Sequence, residues 1–377
     1  MDATIPEALP TLDLVGDNQT LIWGMTSEER MRRIAVARGL PVALGGDATP
    51  TLLADLAFAF DPAWVGHLLR HPGAVLTCGG RPVLAHARDS AQAAAVRRAM
   101  ERGEALAAGT GLDEIRAEDE RGILNEELRK RERPFVLPLR PDTVAAIERA
   151  SYSGAYKGVT DLLTKYLWPG LAFHLTRLAA ALGMTPNQVT ALGSAFCVIA
   201  TVAFWHGWFW SGMATGFAFM VLDTVDGKLA RCTITSSRLG HLWDHGVDLV
   251  HPLFWWWAWA VGCMAYGRPL DEPVFWATIG VIVFGYVAQR LIEGAFIVRF
   301  GMHIHVWERF DSRFRLVTAR RNPNMVLLFA SLLIGRPDWG IVAVAAWTAL
   351  SLVVHLARLL QAIARRRRGG AITSWLA

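Results

Sequence analysis

The distribution of apolar and polar residues divides this chain of 377 residues into two parts. Up to about residue 158, short apolar runs alternate with polar segments of ordinary charge density. Beyond that point, long apolar stretches are separated by short polar ones. The pattern predicts a soluble α/β domain over 1–112, a charged linker over 113–158 and a helical membrane domain over 159–377.

Local signals in the N-terminal part predict alternating strands and helices. Thr26-Ser-Glu-Glu29 has the pattern of a capping box and is expected to open a helix. The high charge of residues 113–134 predicts a solvated helix or linker there. The other predicted elements are a strand at 51–60, a helix at 63–70, strands at 74–78 and 82–85 about the turn Gly79-Gly80, and a helix at 91–102.

Six apolar segments of the C-terminal part approach the roughly 20 residues that a helix needs to cross a bilayer. An amphipathic stretch over 159–183 precedes them and is expected to lie along the cytoplasmic interface, because Lys and Trp occur among its apolar residues. Arginines concentrate in the loop 299–322, so the positive-inside rule predicts that both termini lie on the cytoplasmic side of the inner membrane. The predicted spans are 187–209, 212–230, 239–264, 274–298, 323–337 and 340–362.

Composition supports the prediction of a membrane protein. Apolar residues make up 53% of the chain and 16 residues are Trp, a loading typical of proteins that contact membrane interfaces. The four cysteines lie far apart, which favours idle thiols over a disulfide framework or a thiolate zinc site. The net charge of +5 could indicate nucleic acid binding, but the basic residues cluster at the ends of apolar segments. We therefore expect membrane lipids, and no nucleic acid, as partners.

Four aspartates, one arginine and three small residues occur at the inner ends of the second and third predicted spans. Their offsets of three or four residues place each set on one face of its helix. If the two faces pack against each other, four carboxylates lie close together at the inner ends of the apolar spans, where unpaired negative charge is energetically unfavourable. Divalent cations that prefer oxygen ligands relieve such repulsion. The residues are Asp223, Asp226, Gly227, Ala230 and Arg231, followed by Gly240, Asp244 and Asp248.

Their spacing, D-x2-D-G-x2-A-R-x8-G-x3-D-x3-D, resembles the signature of the CDP-alcohol phosphotransferase (CDP-alcohol phosphatidyltransferase) family without a departure. The resemblance is tight for this motif and extends more loosely over about 150–365. It implies a membrane-integral homodimeric enzyme that transfers a substituted phosphate from a CDP-alcohol donor to an acceptor alcohol and releases CMP. The expected donor is of the CDP-diacylglycerol or CDP-inositol type, in phospholipid or phosphoinositol biosynthesis.

The same resemblance implies roles for individual residues. Asp223, Asp226, Asp244 and Asp248 match the ligands of a two-metal site for Mg²⁺ or Mn²⁺, and Asp248 also matches the general base. Small residues that admit the nucleotide match Gly227, Ala230 and Gly240, whereas Arg231 matches a phosphate contact. The candidates for binding the acceptor are Lys165, Arg177, Arg321 and Asn324.

Alternative roles exist for the residues in and around the motif. The aspartates could cap helices or form buried ion pairs, but Lys228 and Arg231 can neutralise only two of four charges. His241 and His245, four residues apart, could bind zinc, although polar packing is favoured. His251 is expected either to orient Asp248 or to pack in the core. The tryptophans at 255, 256, 257 and 259 are expected to contact lipid or partner helices rather than substrate.

The N-terminal domain faintly resembles a nucleotidyltransferase. In some family members such a domain precedes the membrane part and makes the CDP-alcohol. Here Leu52-Leu-Ala-Asp55, before Phe58-Ala-Phe-Asp61-Pro62, faintly resembles a strand that ends in a metal-binding Asp. No glycine-rich loop for a triphosphate is evident, and Gly45-Gly46 is too short to replace one. A non-catalytic relic that scaffolds or regulates is therefore favoured over an active transferase.

Two other functional classes compete with the transferase hypothesis. Intramembrane aspartates also occur in transporters and ion pathways, but those sites are expected near the middle of the bilayer, whereas these aspartates lie at one face. Alternatively, the soluble domain recruits a partner and the helices only anchor it.

Overall fold

A computed structural model describes residues 9–42, 51–120, 122–125, 128–236 and 238–377. Within the helix that begins at Arg238, the description covers the backbone but not the side chains of residues 238, 239, 241, 244 and 245. The chain forms two compact units. The N-terminal unit comprises Met1–Tyr156, Arg177–Gly183 and Lys228–Thr235, and the helical unit comprises Lys157–Thr176, Met184–Gly227 and Ser236–Ala377.

A mixed five-stranded sheet in the order β1-β2-β5-β4-β6 forms the centre of the N-terminal unit. The pairs β1–β2 and β4–β6 are parallel, whereas β2–β5 and β4–β5 are antiparallel. Two small antiparallel pairs, β3–β9 and β7–β8, accompany it. The strands are β1 Thr11–Val15, β2 Thr51–Asp55, β3 Phe58–Phe60, β4 Ala74–Cys78, β5 Arg81–Ala87, β6 Asp113–Arg116, β7 Ile123–Asn125, β8 Lys130–Glu132 and β9 Val136–Pro138.

The first three of the four helices of this unit start and stop largely where the sequence predicts, whereas the fourth lies within the stretch 113–158 that was expected to be a charged linker. Thr26 caps the first helix by accepting a hydrogen bond from the Glu29 N–H at 3.2 Å, and Asp61 caps the second. Gly79 and Gly80 both have positive φ, which suits the tight β4–β5 turn. The helices are α1 Ser27–Arg38, α2 Pro62–Leu69, α3 Ser90–Arg102 and α4 Val144–Gly154. The predicted N-terminal α/β region is thus confirmed.

Two predictions for this unit need correction. The single strand expected at 51–60 is divided because the Asp55 carboxylate accepts a hydrogen bond from the Ala57 N–H, which closes a turn between β2 and β3. The segment 113–134, expected to be a solvated helix or linker, contains three short strands instead. Its first strand, β6, extends the main sheet beside β4, because backbone pairing at a sheet edge tolerates charged side chains.

The aspartates that suggested a nucleotidyltransferase have structural partners. Asp61 accepts a hydrogen bond from the Ala63 N–H at 2.8 Å, as an N-cap does. Asp55 is buried within the turn described above, and Arg81 lies 3.8 Å from its second oxygen. Burial raises the pKa of the Asp55 carboxyl above its ordinary value.

Helices dominate the helical unit. A short π-helical segment over Leu163–Leu167 leads into α5, and a 3-10 turn over Ile304–Val306 precedes α10. The side chain of Thr185 and that of Gln188 form a reciprocal capping box at the start of α6. The helices are α5 Trp168–Ala181, α6 Pro186–Trp205, α7 Phe209–Cys232, α8 Arg238–Ala265, α9 Glu272–Phe300, α10 Arg309–Phe314, α11 Arg321–Leu333 and α12 Pro337–Arg367.

Close packing joins α6 to α8. A Cβ atom on Gly262 would lie 1.8 Å from the Phe204 carbonyl oxygen, so only glycine allows this approach. Trp255 and Trp259 are fully buried, and their indole N–H groups donate to the carbonyls of Cys197 and Pro337. The expectation that the tryptophans contact partner helices is confirmed for these two residues.

Within the described residues, three helices are long and apolar enough to cross a membrane. They are Pro186–Trp205, Glu272–Phe300 and Pro337–Arg367, at the first, fourth and sixth predicted spans. The other three predicted spans are also helical, but the 13 residues of α11 extend only about 20 Å, less than a bilayer core. The number of six spans therefore stays a prediction, as does the interfacial position of 159–183.

We expect protonation of His86 to destabilise the main sheet. His86 is buried on β5 and its Nδ1 lies 2.9 Å from the Leu68 carbonyl oxygen. Burial lowers its pKa below the ordinary 6.5, as does the charge of Arg88, and the hydrogen bond to Leu68 only partly offsets this. His86 therefore binds a proton more readily in the unfolded state than in the folded state. The contribution of neutral His86 to the free energy of unfolding is fully present above about pH 6.5 and is lost as the pH is lowered.

Hydrogen–deuterium exchange of the full chain at pH 7.5 and 5.5 tests this expectation. Amides of β4 and β5 should lose protection at the lower pH after correction for intrinsic exchange, and His86→Gln should reduce that loss. The matched control is His71→Gln, because His71 is exposed. An equal pH effect in the wild type and in His86→Gln would contradict the prediction.

Candidate functional site

The first half of the motif lies on α7. Asp226 is buried at 4% exposure, and its Oδ2 accepts a hydrogen bond from the Thr190 hydroxyl on α6 at 2.6 Å. Asp223 lies one turn earlier on the same helix and is partly buried. The spacing of three residues places both carboxylates on one side of α7, as the sequence predicts.

Arg321, the first residue of α11, joins two of the motif aspartates. One terminal nitrogen lies 2.6 Å from Asp223 Oδ2, and the other lies 2.7 Å from Asp248 Oδ1 on α8. The guanidinium carbon also lies 4.8 Å from the centre of the Phe219 ring. The two halves of the motif therefore meet at one cationic group, in a setting where Arg321 is only 11% exposed and Asp248 is 45% exposed.

Asn322 anchors the start of α11. Its side-chain oxygen accepts a hydrogen bond from Arg321 Nε at 3.1 Å, and its amide donates to Asp161 at 3.0 Å. Burial would raise the pKa of Asp161, but the charge of Arg315 and hydrogen bonds from Thr164 and Asn322 together lower it below its ordinary value. Asp161 is thus an ionised anchor that holds Asn322, and through it the guanidinium plane of Arg321.

The remaining motif residues have different surroundings. Gly227, Ala230 and Gly240 are half-buried. In the N-terminal unit, Lys228 Nζ and Arg231 Nε donate to the Ala155 carbonyl at 2.9 and 3.0 Å. The side chains of Asp244, His241 and His245 lie outside the described part of the chain.

His251 packs as a core residue. Its Nδ1 donates to the Val247 carbonyl at 2.6 Å, and its ring meets Phe219 and Trp255 edge to face. The second ring nitrogen, Nε2, is buried without a hydrogen-bond partner among the described residues. Of the two expectations for His251, the packed core residue is the one that these contacts support.

Among the four candidates for acceptor binding, Arg321 alone contacts the described motif aspartates. Arg177 forms an ion pair with Glu148 at 3.1 Å within the N-terminal unit. Lys165 is exposed and lies over the ring of Tyr166. Asn324 is buried on α11, one turn after Arg321, and its side-chain oxygen has no partner in the described part of the chain.

Sequence reasoning missed a second polar cluster. Ligand-type atoms of Glu293, His305 and His355 lie within 4.8 Å of one another. Glu293 also pairs with Arg320 and with Arg290, so two guanidinium groups already surround its single carboxylate. Burial lowers the pKa of His305 well below its ordinary value. The residues are separated by 12 to 62 positions, and no local spacing signals them. We interpret the cluster as an ion-pair network of the helical unit, because a divalent cation would meet two neighbouring positive charges.

The motif aspartates fit a divalent cation better by their chemistry. They offer oxygen atoms only, which Mg²⁺ and Mn²⁺ prefer. Asp223 and Asp248 already share one positively charged partner, which shows that carboxylates from α7 and α8 can neutralise the same cation. Asp226 is held by Thr190, and its spacing of three residues from Asp223 places the two residues on the same side of α7.

Comparison with known proteins agrees with the motif. The sequence profile of the family described as CDP-alcohol phosphatidyltransferase matches residues 183–374, about half of the chain. The chain therefore belongs to the CDP-alcohol phosphatidyltransferase family. The matched range includes every residue of the motif on α7 and α8.

Three similar proteins have names that indicate a head-group class. Cholinephosphotransferase 1 of Gallus gallus is 34% identical over 185 residues, which is 45% of this chain and 52% of that protein. Cholinephosphotransferase 1 of Danio rerio is 30% identical over 180 residues, 44% of each chain. Choline/ethanolaminephosphotransferase 2 of Arabidopsis thaliana is 31% identical over 164 residues, 38% of each chain. The matched stretches span about half of these relatives or less.

Proposed function

We propose that this protein is a membrane-integral transferase that moves a substituted phosphate from a CDP-alcohol to an acceptor alcohol and releases CMP. The observation that carries the proposal is the meeting of Asp223 and Asp248, from the two halves of the family motif, at the shared cation of Arg321. A site that combines carboxylates with a cation suits phosphate transfer, because positive charge held there stabilises the negative charge of the diphosphate.

Each residue of the motif would have a separate role in binding or catalysis. Asp223, Asp226, Asp244 and Asp248 would hold Mg²⁺ or Mn²⁺, which neutralises the diphosphate and activates it for displacement. Asp248, the most exposed of the described three, would take the proton of the acceptor hydroxyl. Small side chains at Gly227, Ala230 and Gly240 would leave room for the nucleotide, and Arg231 would contact its phosphates. Arg321 and Asn324 would bind the acceptor.

Two classes of CDP-linked donor are compatible with this function. Names of the relatives favour a CDP-linked amino alcohol, because they are cholinephosphotransferases and choline/ethanolaminephosphotransferases. From the sequence we expected a donor of the CDP-diacylglycerol or CDP-inositol type. Both classes present the same diphosphate to the aspartates, so the site chemistry proposed above is common to them.

The proposed setting is the inner membrane with both termini and the active site on the cytoplasmic side. Residues 159–377 would form the transferase domain, with α5 at the interface, six spans and a homodimer. The N-terminal residues 1–112 would be a non-catalytic relic, because Asp55 and Asp61 serve a turn and a helix cap.

A turnover screen with the purified full chain tests the function. Protein in detergent with Mg²⁺ or Mn²⁺ is offered labelled CDP-choline, CDP-ethanolamine, CDP-diacylglycerol or CDP-inositol with diacylglycerol, glycerol phosphate, inositol or inositol phosphate. Release of CMP from one pair, abolished by EDTA, is the expected result. No CMP from any pair, with intact folding, would overturn the proposal and favour a transporter or an anchored scaffold.

Thr190 provides a finer test of the metal ligands. Thr190→Val removes the hydrogen bond to Asp226, and outer hydrogen bonds of this kind typically alter metal affinity 10- to 100-fold. We expect Mn²⁺ affinity, measured by calorimetry, to fall about tenfold. Thr201→Val on the same helix is the control, because that hydroxyl bonds only the Cys197 carbonyl in the described contacts. Equal Mn²⁺ affinity in the two variants would exclude a role for Thr190.

A further inference from the structure

The segment Lys228–Thr235 contains the last turn of α7 and the loop that follows it, and it belongs to the N-terminal unit. Ile234 in this loop packs against the main hydrophobic core of that unit, the core built around β2 and α2. The transferase function proposed above gives this packing no role. The packing of Ile234 nevertheless makes the last turn of α7, which carries Arg231 of the motif, part of the N-terminal unit.

The backbone at Ile234 is strained. Its φ is +55°, a left-handed conformation that β-branched residues rarely adopt. Such a conformation persists only where surrounding contacts determine it. Two hydrogen bonds hold the loop itself: Arg33 on α1 donates to the Thr233 carbonyl at 2.8 Å, and the Thr235 N–H donates to the Ala230 carbonyl at 2.9 Å.

A second set of contacts holds the helix end. Lys228 Nζ and Arg231 Nε both donate to the carbonyl of Ala155, which ends α4. Lys228 Nζ also lies 3.0 Å from the centre of the Tyr156 ring. The C-terminal end of a helix carries partial negative charge, so it suits two cations. A hydrogen bond from Nε fixes the plane of the Arg231 guanidinium.

We propose that the N-terminal unit positions Arg231 for the nucleotide, with Arg33, Ile234 and the Ala155 carbonyl as its positioning groups. The inference rests on the proposed function and assigns a role to Arg33 and Ala155, which precede the motif in the chain. A guanidinium whose plane is set in advance loses less conformational entropy when it pairs with a phosphate. Releasing the loop should therefore weaken nucleotide binding without removing any group that touches the nucleotide.

Two neighbouring arginines offer a matched test. Arg32 and Arg33 each pair with a glutamate four residues earlier, but Arg33 alone also donates to Thr233 in the described contacts. In the full chain, Arg33→Ala should weaken CDP binding about tenfold by calorimetry and raise KM for the CDP donor by a similar factor, with kcat within about twofold. Arg32→Ala should leave both unchanged. Arg33→Lys, which keeps a donor, should recover most of the affinity.

Ile234→Ala provides an independent variant because it removes core packing and leaves Arg33 in place. It should weaken CDP binding at least as much as Arg33→Ala. If Arg33→Ala and Ile234→Ala bind CDP as tightly as Arg32→Ala, the positioning role is overturned while the transferase function stands. If the wild-type protein itself binds no CDP and releases no CMP, the proposed function fails instead. The positioning role would also be overturned if, in all three alanine variants, the loss of CDP affinity were simply proportional to the decrease in melting temperature.

Discussion

Replacement of Asp248 by asparagine is expected to lower kcat for CMP release by roughly 10³-fold. The amide cannot accept the proton of the attacking hydroxyl, and it removes one negative charge from the proposed metal site. Asp248 is the described motif aspartate with the greatest exposure, at 45%, so an acceptor in solution or lipid can reach it. Initial rates of CMP release with saturating donor and acceptor measure the effect.

Asp271→Asn provides the control for loss of a carboxylate. Asp271 is exposed at the start of α9, and its side chain makes no capping hydrogen bond. Its replacement should leave kcat within about twofold of wild type. Full CMP release by Asp248→Asn would remove the general-base assignment.

Patterns confined to one helix could be predicted from the sequence. The face shared by Asp223 and Asp226 follows from the period of the α-helix, and the cap at Thr26 follows from a local hydrogen bond. The resemblance of the motif to its family led to the correct family assignment. Each of these inferences needs only residues close together in the sequence.

Contacts between distant segments could not be predicted in the same way. Arg321 is 98 residues from Asp223 and 73 from Asp248, and its arrival between them depends on how α11 packs. The pairing of β6 with β4 and the packing of Ile234 in the N-terminal unit are likewise set by tertiary contacts. The charge of residues 113–134 gave no warning of a strand, because edge strands accept polar side chains.

Replacement of Arg321 by glutamine should make the protein depend on divalent cations for its stability. The variant leaves Asp223 and Asp248 without their shared cation, in a place where Arg321 is only 11% exposed. Breaking a buried ion pair costs about 3–5 kcal/mol, and the exposure of Asp248 reduces this to about 2–3 kcal/mol. In EDTA the melting temperature should therefore fall by roughly 5–10 °C.

Added Mn²⁺ should restore most of that loss, because a cation bound to the aspartates takes over the neutralising role of the guanidinium and stabilises the folded state by mass action. Thermal unfolding in detergent, with and without Mn²⁺, measures both quantities, and the stabilisation by Mn²⁺ should be larger in Arg321→Gln than in wild type. Arg299→Gln, at an exposed position near the end of α9, controls for loss of a positive charge and should respond to Mn²⁺ as wild type does. If Mn²⁺ instead stabilised Arg321→Gln less than wild type, Arg321 would not occupy the place of a cation. The aspartates would then have to be interpreted as a purely structural ion-pair set.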